Sequence, residues 1–228
     1  MKLLLFDIDG TLLMTHGIGR RLLERTLHQL LSRPVTSQGV SFSGKTDLQI
    51  LRELFLLNGC PDSQALRLIP EALDRYVDLF RAEITPAEVC VLPGVRTLLD
   101  RLSVDDAALV GLLTGNHRTT AYLKLGAAGL ADYFPFGAFG SDHADRGKLP
   151  ALAARRAAAH NGHAYAGHNI IIVGDSRHDI LCGRGVGAYS VAVCTGLTAR
   201  ASLSKHEPDL LLDDLTDTDL FIRHAMAA

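Results

Sequence analysis

Short, nearly continuous apolar runs recur along the chain, each closed by a polar residue and a turn. Residues 2–6 run into Asp7, 108–113 into Thr114, 169–173 into Gly174-Asp175, and 189–194 into Thr195-Gly196. Nearly continuous apolar strands of this kind, not alternating ones, suit a parallel sheet covered on both faces. Between these runs the spacing turns helical, over 93–102, 118–125 and 149–160. Strands alternating with helices predict an α/β fold, a doubly wound parallel-sheet core of Rossmann-like type.

One stretch breaks the rhythm. From Met14 to Val91 the pattern gives helices at 18–31, 47–57 and 63–84, without a convincing buried strand. Pro34, Gly39, Gly59-Cys60-Pro61 and Thr85-Pro86 punctuate it. The expected organisation is a core of 1–13 and 92–228 with an inserted helical cap domain at 14–91. After Lys205 come a loop, a short apolar run at 209–212 and a final helix.

Composition narrows the function. The chain has 228 residues, 47% hydrophobic and 21% charged, with a formal net charge of -2. A nucleic-acid binder would show a clustered basic excess, so no nucleic-acid partner is expected. No apolar run is long enough to span a bilayer, and the start of the chain lacks the pattern of a signal peptide. A cytoplasmic protein without a membrane partner is the expectation. Cys60, Cys90, Cys182 and Cys194 are scattered and read as reduced, buried small hydrophobes. His143, His160, His163 and His168 lack tight ligand spacing and read as surface residues.

Ligands of open α/β sheets bind beyond the carboxyl ends of the strands, which is where Asp7, Thr114 and Asp175 fall. Asp7-Ile8-Asp9-Gly10-Thr11 presents two carboxylates two residues apart at the end of a buried strand. Such a pair is costly to bury without a cation. Asp175, with Asp179 behind it, offers further hard oxygen ligands, a set that suits Mg²⁺ and a phosphomonoester.

These motifs resemble the haloacid dehalogenase superfamily of phosphohydrolases, in order and separation, over nearly the whole chain. The first is Asp7-Ile8-Asp9-Gly10-Thr11, the second Leu113-Thr114-Gly115, and the fourth Gly174-Asp175-Ser176-Arg177-His178-Asp179. The helical insert looks like that family's C1 cap. Its Gly44-Lys45-Thr46-Asp47 resembles a cap loop of phosphoglycolate-phosphatase-like members. The resemblance implies that Asp7 attacks phosphorus and becomes an aspartyl phosphate. It implies that Asp9 is the acid and then the base, its carbonyl also binding Mg²⁺. Thr114 and a neighbouring N–H, from Gly115 or Asn116, would hold phosphoryl oxygens. Asp175 would complete the metal site, with Asp179 supporting it.

The third motif blurs. Asp145-Arg146-Gly147-Lys148-Leu149-Pro150 offers two cations: Lys148 has the usual residue type, while Arg146 has the apolar Leu152 six positions on. Both stay eligible as the group bridging Asp7 and the phosphate. Lys45 is equally eligible as a solvated loop lysine or a substrate contact. Gly39–Thr46 also satisfies the P-loop pattern, but a polar, proline-containing stretch precedes it instead of a buried strand.

The expected function is a Mg²⁺-dependent phosphatase acting on a small phosphomonoester, phosphoglycolate-like or a sugar phosphate. Open beside it are a phosphomutase or phosphonatase of the same superfamily, a P-loop phosphotransferase and a silent phosphometabolite binder. The partner is thus a small-molecule substrate, with monomer and homodimer both open.

Overall fold

The structure is a computed structural model and describes residues 1–227. In chain order the elements are β1 (Lys2–Phe6), β2 (Leu13–Thr15), α1 (Ile18–Leu31), α2 (Asp47–Leu57), α3 (Asp62–Glu83), β3 (Val89–Val91), α4 (Val95–Ser103) and β4 (Ala108–Thr114). There follow α5 (Arg118–Ala128), β5 (Gly137–Phe139), α6 (Leu149–Asn161), β6 (Ile170–Gly174), α7 (Arg177–Cys182), β7 (Tyr189–Val193), α8 (Arg200–Ser204), β8 (Leu210–Leu212) and α9 (Thr218–Ala225).

Six of the strands form one parallel sheet in the order β5-β4-β1-β6-β7-β8, the doubly wound core expected from the apolar runs. The reason β1 is apolar from Leu3 to Phe6 is visible in its packing. Leu4 and Phe6 join one layer with residues of α4, α5 and α9, while Leu3 and Leu5 join the opposite layer with residues of α6. Ile171 and Val173 against Ile170 and Ile172 repeat this division on β6. Each side chain withdrawn from water in this way stabilises the fold by about 1.5–3 kcal/mol, before entropy is counted. Register pairs Phe6 with Leu112 on one side and Val173 on the other, so three strands end at the same edge.

Helices α1, α2 and α3 have a core of their own, with Leu22, Leu51, Phe55, Tyr76 and Phe80 buried together. Leu123 of α5 packs against that cluster. The bounds of α1 and α2 coincide with the sequence pattern. The stretch is not purely helical, however. Short β2 and β3 pair antiparallel, Leu13 opposite Val91, where the chain leaves the sheet and returns. Three-residue strands carry too little periodicity to register in the sequence.

Among the described residues no helix is long and apolar enough to cross a membrane. Cys60 and Cys182 are buried, but Cys90 is exposed and Cys194 half-buried, so the expectation of four buried cysteines is corrected.

Candidate active site

Three strand ends build the floor. Asp7 follows β1, Thr114 closes β4, and β6 leads through Gly174 to Asp175; their exposures are 5%, 0% and 5%. An oxygen from each of Asp7, Asp175 and Asp179 lies within 4.8 Å of the others. The chain turns at Gly10 with φ of +82°, where a Cβ would stand 2.6 Å from Asp175 Oδ2. Only glycine accepts both that backbone conformation and that approach.

Arg146 is the cation of this floor. It is 6% exposed, its Nη2 lying 3.2 Å from Asp7 Oδ1 and also pairing with Asp179. Nη2 donates to the Leu113 carbonyl at 3.3 Å, and Nη1 to the Gly44 carbonyl at 3.4 Å. Lys148 is exposed and absent from the cavity wall. The two are separated by a single 3₁₀ turn, Arg146–Lys148. With about three residues per revolution, positions two apart face different ways, so one of them alone turns inward.

Crowded, desolvated acids resist ionisation. Burial pushes Asp7 up to about 6, against the pull of Arg146, with Asp179 and Asp9 adding to the rise. Burial likewise pushes Asp175 to about 8, reinforced by Asp179 and Asp7. Burial opposes the Arg146 charge, but Asp179 and Asp7 outweigh it, so that pKa is raised. One guanidinium thus serves three buried carboxylates. The oxygen donor set, its shortage of positive charge and the glycine-walled niche around Asp175 fit a hard divalent cation. Asp179 is otherwise engaged: it accepts from Ser176 N at 3.0 Å and Ser176 Oγ at 2.6 Å besides Arg146.

Asp9 is turned into a cavity of about 240 Å³. Its roof comes from the inserted stretch: Arg20 of α1, Phe42, Lys45, Ile50 of α2 and Tyr76 of α3. Lys45 lines this space while its Nζ holds Glu53 at 2.6 Å. The loop carrying it rests on the floor. Asp47 N donates to the Gly115 carbonyl at 2.8 Å and His117 N to Asp47 Oδ2 at 2.7 Å. Thr46, which caps α2 through a capping box with Gln49, also donates to the Ala144 carbonyl at 3.0 Å. Gly115 is where the loop comes closest, and a Cβ there would collide with the Lys45 carbonyl. Burial raises Asp47 to about 6, even with the His117 N–H as a partner.

Asn116 was expected beside the phosphate. It lines the cavity with Asp7 and Thr114, and its side chain donates to Asp9 Oδ2 at 2.8 Å and Thr114 Oγ1 at 2.7 Å and accepts from Lys124 Nζ at 2.6 Å. The Thr114 hydroxyl, accepting that bond, keeps its own hydrogen for another oxygen. Lys124, Arg20 and Tyr76 were not among the residues singled out from the sequence, and Asp47 only as part of the cap-loop motif. For Lys124 a signal existed, since it shares the buried side of α5 with Ala121, Leu125 and Ala128.

Comparison with known proteins agrees with this geometry. Residues 4–193 match the family described as haloacid dehalogenase-like hydrolase. The pyrophosphatase PpaX of Oceanobacillus iheyensis is 25% identical over 224 residues, 95% of this chain and 94% of that protein. The phosphoglycolate phosphatase of Agrobacterium fabrum is 29% identical over 218 residues, covering 93% and 88%. In fold, the β-phosphoglucomutase of Clostridium difficile superposes with a TM-score of 0.74 at 18% identity, covering 100% and 98%. The motif order, the sheet and the family match converge, and the chain belongs to the haloacid dehalogenase-like hydrolases.

Proposed function

We propose that this enzyme hydrolyses a small phosphomonoester through an aspartyl phosphate on Asp7. The observation that carries the reading is the buried Asp7 carboxylate, 3.2 Å from buried Arg146 and clustered with Asp175 and Asp179 at the floor of the cavity. A nucleophilic carboxylate needs a fixed position and compensated charge; Arg146 supplies the first and part of the second, and a bound cation would supply the rest.

In the first half-reaction an Asp7 oxygen attacks phosphorus, and Asp9 gives a proton to the departing oxygen. In the second, Asp9 takes a proton from the water that attacks the phosphorylated Asp7. Thr114 Oγ, with its hydrogen free, and the Gly115 N–H donate to phosphoryl oxygens, while the Asn116 N–H donates to Thr114 Oγ1 at 3.3 Å. Arg146 orients Asp7 and offsets the charge gathering on the transferred group. Asp7, the Asp9 carbonyl and Asp175 would hold Mg²⁺, with Asp179 orienting the set from behind. When bound, the ion supplies charge neutralisation at the phosphoryl oxygens. The reading takes residues 14–91 as a cap whose Lys45, Arg20 and Phe42 select the leaving group. The relatives' names put pyrophosphate and phosphoglycolate first among substrates to try, in a cytoplasmic setting.

The test is phosphate release from p-nitrophenyl phosphate, phosphoglycolate, pyrophosphate, sugar phosphates and nucleotides, with Mg²⁺ or EDTA. Turnover is expected to need Mg²⁺ and to fall at least about 10³-fold in Asp7→Asn. Folded wild-type protein inert toward every ester in Mg²⁺ would sink the reading.

A further inference from the structure

Lysine occupies position 124 on the inward side of α5, where neighbouring turns place Ala121, Leu125 and Ala128. It is 4% exposed. Burying an ammonium costs several kcal/mol unless its hydrogens find partners, so those partners indicate what the residue is for. All three donors are used. Nζ lies 2.8 Å from Asp9 Oδ1, 2.7 Å from Asp9 Oδ2 and 2.6 Å from Asn116 Oδ1. Asn116 closes the ring by donating to Asp9 Oδ2 at 2.8 Å. The Phe80 ring of α3 stands 5.8 Å from the ammonium. Three hydrogen bonds thus clamp one flank of the Asp9 carboxylate, while 40% of that side chain stays open toward the cavity.

An ion pair needed only to tie α5 to the sheet would not require a partner that faces the reaction space. A clamp on a proton-transfer group would. Placing such a group within a few tenths of an ångström of its target contributes directly to rate.

We propose that Lys124, acting with Asn116, is a positioning residue that fixes the Asp9 carboxyl against the leaving-group oxygen. The inference rests on the aspartyl-phosphate reading above. In the first half-reaction the Asp7–phosphorus bond forms, the ester P–O bond breaks, and the proton on Asp9 passes to the departing oxygen. In the second, a water oxygen bonds to phosphorus and the Asp7–phosphorus bond breaks. The water's proton goes to Asp9, restoring the starting state. Lys124 acts through Asp9, whose two carboxylate oxygens it holds, and is neither the donor nor the acceptor of the transferred proton.

The inference is tested by leaving-group dependence. An alkoxide departs poorly without a proton, whereas p-nitrophenolate departs without one. Release of the alcohol or phenol in the first turnover, measured in Mg²⁺, isolates the first half-reaction. Lys124→Met is expected to slow release from phosphoglycolate and glycerol 2-phosphate by about 10- to 100-fold, and from p-nitrophenyl phosphate by less than about threefold. In an Asp9→Asn background the same substitution should add nothing, because the two act as one unit. Should Lys124→Met fail to fold, Lys124→Gln, which retains an N–H donor, is read in the same way. Equal losses on alkyl and aryl esters, or additive losses with Asp9→Asn, would overturn the positioning role and leave the phosphatase reading intact. Wild-type protein that turns over neither kind of ester would overturn both.

Discussion

Asp7, Thr114 and Asp175 hang from three neighbouring strands and are each under a tenth exposed, whereas Arg20 and Lys45 reach the same cavity from a helix and a loop of the insert. Floor residues are held by the sheet's register and by a guanidinium with acceptors on several sides. Roof cations have partners in their own neighbourhood: Arg20 donates to Ser37 Oγ at 2.6 Å and stacks over Phe42, and Lys45 holds Glu53. Rigid strand ends suit chemistry, which tolerates little displacement. Side chains satisfied within their own neighbourhood suit selection among substrates, since they can change without loss of the machinery.

The contrast can be broken hardest in the floor. Arg146→Met leaves Asp7 and Asp179 buried without their cation, a loss of about 3–5 kcal/mol by analogy with other broken buried pairs. Turnover of p-nitrophenyl phosphate should fall at least about 100-fold, and thermal unfolding should drop by several degrees. Lys148→Met, two residues away and exposed, should change neither beyond about twofold in rate. Equal losses in the two variants would mean that the third motif had been assigned to the wrong cation.

A milder break lies in the roof. Lys45→Ala should raise KM for an anionic leaving group such as that of phosphoglycolate by about three- to tenfold. It should leave kcat for p-nitrophenyl phosphate within about threefold. A collapse of kcat on every substrate would instead assign Lys45 to the chemistry.

The seam between them should respond least. Asp47 is raised to about 6 from an ordinary 3.8 by burial, so the folded state holds its proton more tightly than the unfolded chain. Its stabilising contribution is complete below the unfolded value and is lost as pH rises through about 6. Between pH 5 and 7 that amounts to about 1 kcal/mol. Asp47→Asn, which still accepts the His117 N–H, should flatten the fall in melting temperature over that interval. An unchanged slope would show that the loop leaves Asp47 hydrated in solution.

Strand ends and motifs were legible because a buried parallel strand leaves a continuous apolar trace and its terminal acid stands out against it. Asp7 and Asp175 are conspicuous for that reason. The choice between Arg146 and Lys148 was not legible, since it depends on which side of one tight turn faces inward. Strand β5 escaped because Gly137-Ala138-Phe139 is too short to show alternation. Lys124 escaped for a subtler reason. Lysine favours helices, so residue-type preference raised no alarm, and only its phase relative to Ala121 and Leu125 marks it as buried. Functional polar groups tend to sit where local preference and burial disagree.

The short β2–β3 ribbon carries a consequence for ancestry and engineering. Because Leu13 pairs with Val91, the chain departs from the sheet and comes back through adjacent strands, about 5 Å apart. A graft there need only bring its two ends together at that separation. The scaffold beneath would keep its register, so swapping the inserts of related hydrolases at this junction is a direct test of whether the insert sets substrate choice.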